Sequence, residues 1–300
     1  MNILLTGASG FLGKRIVKCL PQFDIVTLGR SANSNVKCDL STEIPLLPAT
    51  DLVVHAAGMA HMVPKSQIDK QKFIDVNVNG TRNLLKGLEE ANSLPSFFVF
   101  ISSVSVYGLE AGIDISESSV LKATEAYGRS KIEAEAIIQE WCLRNNVKCS
   151  ILRLPLLVGA DPPGNLGAMI RAIDKGYYFN IAGGKAKKSM VFVDDVASLI
   201  PKVAQIGGIY NLTDGQHPTF NELSAKIARD TGKSTPLNIP LWMAKIMAIF
   251  GDIVGAKAPI NSNKLKKINS DLTFNDAKAR REIGWKPQLV LEVFNTRNSI

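Results

Sequence analysis

Short apolar runs, each followed by small or polar residues, recur along the first two-thirds of the chain. The clearest are residues 2–5, 24–28, 51–55, 98–101 and 209–212. Runs without alternation are typical of strands buried on both faces of a parallel sheet. Amphipathic helical patterns lie between them, beginning with KRIVKCL after the first run. This order predicts an α/β protein with a Rossmann-type doubly wound parallel sheet.

A proline-rich loop near residue 160 indicates where a second domain begins. The proline-rich stretch DPPGN begins at Asp161, after the sixth predicted strand. We therefore expect an NAD(P)-binding Rossmann domain over residues 1–160, to which residues 189–212 return. Residues 161–300 would form mainly a smaller substrate-binding domain.

The first strand runs directly into a glycine-rich turn, TGASGFLG, and then into a helix. Gly7 permits the tight turn, Gly10 lets a pyrophosphate approach the backbone, and Gly13 allows close packing of helix on strand. The helix amino terminus offers N–H groups and a positive dipole end to phosphates. The predicted cofactor-binding residues of this segment are Gly7, Ser9, Gly10, Phe11, Leu12 and Gly13.

The next strand ends without the acidic residue that commonly binds the adenosine ribose. Arg30 follows Gly29 there, and a guanidinium favours a 2′-phosphate, so the predicted cofactor is NADP, with NAD as the alternative. Arg30 could equally be an exposed turn residue. Asp39 and Leu40 follow a further short strand and are predicted to contact adenine, although an aspartate there could also cap a turn.

The fourth strand also ends in small residues. Ala56 and Ala57 would let a flat cofactor approach, while His55 is predicted to be a packed, hydrogen-bonded histidine. His61, in the following loop, is a candidate to face substrate. Asn77, near the start of a long helix, is predicted either to tie the strand ends together beside the cofactor or to cap the helix.

Ser103 ends the buried run FVFISS, and Tyr127 and Lys131 lie four residues apart in AYGRSK. Open α/β sheets bind ligands at the carboxyl ends of their strands, and residues four apart share one face of a helix. An ammonium beside a phenol lowers the phenol's pKa, which would make Tyr127 a proton-exchanging group. Ser103 would hydrogen-bond the same substrate oxygen. Alone, such a pair also occurs on solvated helix faces.

The ordered motifs TGASGFLG, HAAG, NVNGT, SSVSVYG, YGRSK, LRLPLLVG and KSMVFVDDVA resemble those of the extended short-chain dehydrogenase/reductase family. Its members include NAD(P)-dependent nucleotide-sugar epimerases, reductases and dehydratases. The resemblance implies that Ser103, Tyr127 and Lys131 are catalytic, with Lys131 also binding the nicotinamide ribose. It further implies substrate contacts by Ser103, by Asn165 on a diphosphate, and by Lys188, where relatives usually have arginine. Leu156 replaces an asparagine that often touches substrate.

The residues beside Ser103 narrow the reaction. Val104 and Ser105 stand where 4,6-dehydratases carry an Asp-Glu pair, and no further proton-transfer group suggests epimerisation at C3 or C5. The expected function is therefore a C4 epimerase or a 4-ketoreductase of a nucleotide-linked hexose. One alternative is an epimerase of a polyprenyl-diphosphate-linked sugar at the membrane face. Another, of a different class, is a non-catalytic dinucleotide-sensing regulator.

Composition and charge limit the partners, metal sites and location that we expect for the protein. The chain is 46% hydrophobic and 21% charged, which is ordinary for a globular protein, and its net charge of +8 is scattered, so we expect no nucleic acid partner. The four cysteines lack metal-type or disulfide-type spacing, and MNILLTG reads as a strand, so no metal site and a cytoplasmic location are expected. The family resemblance suggests a homodimer formed by the helices after Asn77 and around Tyr127.

Residues 240–256 form an apolar stretch interrupted by Lys245 and Asp252. The stretch is too short in uninterrupted apolar residues to span a membrane. A core helix is the interpretation we favour. The alternative is an interfacial surface at the inner face of a membrane. Its lipid-facing residues would be Trp242, Met243, Ile246, Met247, Ile249 and Phe250, and the lysines near headgroups would be Lys257, Lys264, Lys266 and Lys267.

Overall fold

A computed structural model describes residues 1–60, 62–254 and 260–296. His61 and Lys257, singled out above, lie outside these ranges. In chain order the described strands are β1 (Asn2–Thr6), β2 (Asp24–Gly29), β3 (Val36–Lys37), β4 (Leu52–His55), β5 (Phe97–Ser103), β6 (Gly112–Ile115), β7 (Lys148–Leu154), β8 (Leu156–Val158), β9 (Asn180–Ile181), β10 (Met190–Phe192), β11 (Gly208–Asn211), β12 (Asn238–Ile239) and β13 (Leu272–Phe274).

The described helices alternate with these strands through most of the chain. They are α1 (Phe11–Cys19), α2 (Gln67–Phe73), α3 (Gly80–Glu89), α4 (Ala126–Arg144), α5 (Gly164–Asp174), α6 (Val193–Ile206), α7 (Phe220–Thr231), α8 (Leu241–Val254), α9 (Ser262–Asn269), α10 (Ala277–Ile283) and α11 (Val290–Val293). A π-helical turn over Ile74–Asn79 joins α2 to α3, and a 3₁₀ turn over Val104–Tyr107 follows β5.

One seven-stranded parallel sheet forms the centre of the molecule. Its strand order is β11-β7-β5-β4-β1-β2-β3, so the chain reverses its direction of travel across the sheet between β1 and β4. Ligands of doubly wound sheets bind beyond the carboxyl ends of the strands at such a switch point. The predicted Rossmann-type fold is confirmed, and the glycine turn after β1 lies at this point.

Helices cover both faces of the sheet. On one face α1 and α6 contribute Ile16, Val196 and Val203 to a core with the side chains of β1 and β4. On the other, α3 and α4 contribute Leu84 and Ile138. These residues have essentially no exposed surface, and burying each aliphatic side chain contributes about 1.5–3 kcal/mol before entropy costs. The ends of α1 and α4 are thereby fixed against the strand ends.

The later residues form a smaller assembly of two-stranded pairs, β8 with β10, β9 with β12 and β6 with β13. A separate core there includes Leu166 of α5, Leu223 of α7 and Phe294 after α11. Strand β11 lies at the edge of the large sheet beside β7, although it comes after residue 160. The division into two domains at residue 160 stays a prediction.

Helix α8 is not the core helix that the sequence analysis favoured. Its side chains at Ala244 and Ala248 are buried against Leu265 of α9, but most of its large apolar side chains are exposed. The core interpretation is therefore wrong for most of this helix, because apolar composition alone does not say which elements are available to cover it. Within the described ranges, no helix is long and apolar enough to cross a membrane.

A buried polar network joins the sheet to α4. The Arg153 guanidinium on β7 donates to both carboxylate oxygens of Glu135 on α4, at 3.2 and 2.7 Å, and to the Tyr107 hydroxyl at 3.1 Å. Ser102 donates to the same carboxylate, and Tyr107 donates to Asn211 on β11. Both charged side chains are almost fully buried. The network fixes α4 relative to β5, β7 and β11.

Replacing Glu135 with leucine tests this role. We expect Glu135→Leu to lower the free energy of unfolding by about 3 kcal/mol or more, because it leaves the Arg153 charge buried without its partner. Glu133→Leu on the same helix is the control, since its ion pair with Arg82 is exposed and should cost at most about 1 kcal/mol. Urea denaturation followed by circular dichroism measures both. Equal losses in the two variants would contradict the proposed role.

Candidate functional site

The glycine turn after β1 is built by close backbone contacts. Gly7 has φ +74°, and a Cβ there would lie 2.7 Å from the backbone of Ala56 and Ala57. A Cβ on Gly13 would lie 2.1 Å from the Gly7 carbonyl oxygen, so the first turn of α1 packs directly on the turn. A Cβ on Gly10 would meet only the Gly7 oxygen within 4 Å, at 3.1 Å. Gly7 and Gly13 are thus required by the fold itself.

The amino terminus of α1 is free to bind an anion. Its N-cap, Gly10, makes no side-chain capping bond, and the first turn carries no acidic residue. Ser9 and Gly10 are exposed, whereas the side chains of Phe11 and Leu12 pack into the core, leaving their backbone N–H groups at the helix end. Such N–H groups and the helix dipole suit a phosphate.

At the other end of this edge, β2 and β3 bring two opposite charges together. Arg30 is 77% exposed, and its guanidinium lies 3.8 Å from the Asp39 carboxylate. That carboxylate also accepts from the Ser41 N–H at 3.0 Å and the Ser41 hydroxyl at 2.7 Å, and these bonds lower the pKa of Asp39. Asp39 therefore caps a turn. Leu40 is buried under Gly80, with its carbonyl accepting from Asn83.

His55 is the buried, hydrogen-bonded histidine that the sequence predicted. Its Nδ1 lies 2.7 Å from the Thr6 hydroxyl and its Nε2 lies 3.0 Å from the Thr81 hydroxyl. Thr81 donates to the Asn77 carbonyl, and Thr6 accepts from the Ala57 N–H. The only O–H of Thr81 is used on Asn77, so Thr81 accepts from His55 Nε2–H. The Nδ1 of the neutral ring then accepts from the Thr6 hydroxyl.

This directional chain needs the neutral imidazole. Burial, with the nearby Lys131 charge, lowers the pKa of His55 to about 3. His55 is thus a structural group that holds the Ala57 backbone next to the glycine turn.

Asn77 lies in the π-helical turn rather than at a helix start, so it is not an N-cap. Its side-chain oxygen accepts from the Met59 N–H at 2.7 Å, and its amide donates to the Met59 carbonyl and to the Ser130 hydroxyl at 2.9 Å. It therefore joins the segment after β4 to α4. Its Oδ1 and the Lys131 Nζ would lie 3.2 and 3.4 Å from a Cβ on Gly58, so both groups meet at that residue.

Lys131 points its ammonium into the protein at the carboxyl end of the sheet. Its Nζ donates to the Ile101 carbonyl at 2.8 Å and lies 4.5 Å from the centre of the Phe100 ring. Burial lowers the pKa of Lys131 to about 8, while the charge of Glu135, one helical turn further on, opposes the shift. The group is nearly completely buried yet remains largely an ammonium at neutral pH.

The pKa of Tyr127 differs from the sequence-based expectation. Burial raises its pKa, and a hydrogen bond with Ser103 only partly offsets this, so the phenol is protonated at neutral pH in the protein alone. Proximity in sequence to Lys131 suggested the opposite shift, but the Lys131 ammonium is directed to Ile101. The expected lowering of the Tyr127 pKa is therefore wrong for this state of the protein.

Two neighbours of this group were not singled out as site residues by the sequence. Ser105 lies against Ser103, whose hydroxyl donates to the Ser105 hydroxyl at 3.1 Å and accepts from its N–H at 3.2 Å. The buried ring of Phe73 lies 6.2 Å from that of Tyr127. The serine repeat in SSVSVYG was a usable signal for Ser105, whereas nothing in the sequence near Phe73 pointed to Tyr127.

The predicted substrate residues lie in the later part of the chain. Asn165 is exposed in the first turn of α5. The Lys188 Nζ donates to the carbonyls of Lys267 and Ser270 at 3.0 and 2.8 Å, at the carboxyl end of α9. Two of its three N–H donors are thus used within the protein, and burial lowers its pKa. Their contacts with a substrate stay predictions.

Comparison with known proteins now assigns the chain to a family. The model of the NAD dependent epimerase/dehydratase family matches residues 3–213. The chain belongs to this family. The expectation of an enzyme related to the extended short-chain dehydrogenases is therefore confirmed, and the alternative of a non-catalytic regulator falls away.

Several curated relatives align along almost the whole chain. The N-acetyl-alpha-D-glucosaminyl-diphospho-ditrans,octacis-undecaprenol 4-epimerase of Escherichia coli O157:H7 is 28% identical, over 92% of this chain and 88% of its own. UDP-glucose 4-epimerase of Vibrio cholerae is 26% identical, over 97% and 92%. GDP-6-deoxy-D-mannose reductase of Pseudomonas aeruginosa is 25% identical, over 97% and 93%. These relatives comprise both 4-epimerases and a reductase.

A solved structure supports the fold independently. UDP-glucose 4-epimerase of Thermotoga maritima, crystallised with UDP-glucose, superposes with a TM-score of 0.75 at 20% identity, covering 97% of this chain and 95% of the other. The two chains therefore share the same overall fold.

The glycine turn offers a matched pair of variants. We expect Gly13→Ala to destabilise the fold by about 3 kcal/mol despite alanine's better helix propensity, because its Cβ meets the Gly7 backbone. Gly10→Ala should stay within about 1 kcal/mol of the parent but weaken NADPH binding at least about tenfold, because the methyl lies where phosphate must approach. Thermal unfolding and NADPH fluorescence titration measure the two effects. Unchanged affinity in Gly10→Ala would contradict phosphate binding at this turn.

Proposed function

We propose that the chain is an NAD(P)-dependent oxidoreductase acting at C4 of a diphosphate-linked hexose, as a 4-epimerase or a 4-ketoreductase. The observation that carries this proposal is that Tyr127 hydrogen-bonds Ser103 at the end of β5, while Lys131 of the same helix donates to the Ile101 carbonyl of that strand. The Lys131 ammonium lies next to Gly58. The residues just before Gly58, Ala56 and Ala57, contact the glycine turn. A dinucleotide with its phosphates on α1 would run along this edge toward the three side chains.

The residues divide the work of proton transfer and positioning. A bound nicotinamide supplies the acceptor or donor of hydride. The Tyr127 hydroxyl exchanges a proton with the C4 oxygen, and Ser103 hydrogen-bonds that oxygen and orients it. Lys131, held by the Ile101 carbonyl, would place its positive charge near the nicotinamide ribose of a bound cofactor.

The raised pKa of Tyr127 bears on the direction of reaction. A protonated phenol is an acid, ready to donate to a carbonyl oxygen as hydride reaches C4. For epimerisation, the same group must first accept a proton, which requires the phenolate. Tyr127 must therefore lose its proton before oxidation can begin. Arg30, with no carboxylate at the end of β2, supports NADP as the cofactor.

A second candidate substrate is a sugar on a polyprenyl diphosphate carrier. The relative from Escherichia coli O157:H7 acts on such a sugar by its name, and the exposed apolar side chains of α8 give this chain a surface suited to lipid.

Among partners, we propose a homodimer formed by α3 and α4. These two helices pack together, and Leu143 of α4 is exposed. Light scattering of the purified protein tests the dimer.

Replacing Tyr127 tests the chemistry. We expect Tyr127→Phe to lower kcat at least about 100-fold on a 4-keto sugar nucleotide with NADPH, or on UDP-glucose in the epimerase direction, because general acid–base catalysis contributes about 10²–10⁴. NADPH affinity should change little. Tyr177→Phe is the control, since Tyr177 is exposed. A Tyr127→Phe enzyme with near-parental turnover would refute the assignment.

A further inference from the structure

Helix α8 carries an apolar surface directed away from the protein. We define the α8 outer face as Trp242, Ile246, Ile249, Phe250 and Ile253, which recur every three or four residues and so share one side of the helix. Phe250 is 65% and Ile253 is 80% exposed, whereas Ala244 and Ala248, on the opposite side, are buried. A helix of a soluble protein normally turns its apolar stripe toward the core, so this reversed arrangement indicates a binding surface.

Basic residues border this surface. Lys245 lies on α8, and Lys264 and Lys266 lie on the adjoining α9, a helix whose sequence SNKLKKIN contains no acidic residue. Aromatic and aliphatic side chains flanked by lysines match the boundary between acyl chains and anionic headgroups. A second copy of the chain meeting this face about a twofold axis would bring two sets of lysines together, which like-charge repulsion opposes.

A groove of ≈ 500 Å³ lies between α8 and α9 and shares Ile249 with the α8 outer face. Its lining includes Leu241, Ile249 and Leu265, together with Lys266 and Ser270. The Ser270 carbonyl accepts from Lys188 Nζ at 2.8 Å. One residue of the groove lining is therefore hydrogen-bonded to Lys188, the lysine that the sequence predicts on the substrate diphosphate.

We propose that the α8 outer face docks the enzyme onto an anionic phospholipid bilayer, so that a sugar diphosphate carried on a membrane lipid reaches the site with its lipid chain in the α8–α9 groove. The choice of substrate rests on the proposed function, whereas docking does not. The bilayer contacts follow from the helix itself: apolar side chains enter the headgroup region and the lysines pair with lipid phosphates.

Vesicle co-sedimentation of the full chain tests docking without any enzymatic assay. We expect the parent protein to sediment with phosphatidylglycerol vesicles at low salt and much less with phosphatidylcholine vesicles. Ile249→Asp/Phe250→Asp should lower the bound fraction at least about tenfold, and Lys264→Glu/Lys266→Glu should lower it on phosphatidylglycerol only. The matched control is Leu46→Asp/Val120→Asp, which removes two exposed apolar side chains elsewhere and should bind as the parent does.

Two results would overturn the proposal. One is a parent protein that stays in the supernatant with phosphatidylglycerol vesicles. The other is an Ile249→Asp/Phe250→Asp variant whose mass by light scattering falls from dimer to monomer while its vesicle binding is unchanged, which would make the face a contact between copies. Melting temperature checks that all three double variants fold. Vesicle binding with no turnover of any sugar would leave docking standing and refute the proposed function alone.

Discussion

A buried ammonium at the carboxyl edge of a parallel sheet is the constraint on which the rest of the site depends. Removing a charged amine from water is costly, and the protein compensates with a carbonyl, an aromatic face and a carboxylate. These are Ile101 at 2.8 Å, Phe100 at 4.5 Å and Glu135 one turn along α4. Because the first two belong to β5, the lysine can meet them only if α4 begins over the end of that strand. Tyr127 is then placed beside Ser103.

The groups that surround this charge are fixed by directional hydrogen bonds rather than by further charges. His55 is neutral and links β1, β4 and α3, and Asn77 links the segment after β4 to Ser130 on α4. In the buried ion pair of Arg153 with Glu135, the Glu135 carboxylate also accepts from the Ser102 hydroxyl. The Lys131 charge is therefore held at the carboxyl edge of the sheet, where a dinucleotide would lie.

The sequence predicted those parts of the molecule that depend on local pattern. The strand runs, the glycine turn and the i, i+4 placement of Tyr127 and Lys131 follow from residue type and spacing, and the structure reproduces them. The sequence alone could not predict contacts that depend on distant partners, such as Asn77 with Ser130, or Glu135 with Arg153. The pKa of Tyr127 depends on the balance between burial and charge, and the outward orientation of α8 depends on what else packs in the second half of the chain.

The titration of Lys131 tests the central interaction most directly. In protein labelled with ¹⁵N at lysine side chains, the Lys131 Nζ signal can be assigned by its loss in Lys131→Met and followed with pH. We expect a pKa of about 8, below the ordinary 10.5, because burial disfavours the charged form more than Glu135 favours it. A pKa at or above the ordinary value would show that burial does not disfavour the ammonium, and would contradict the arrangement described for the whole site.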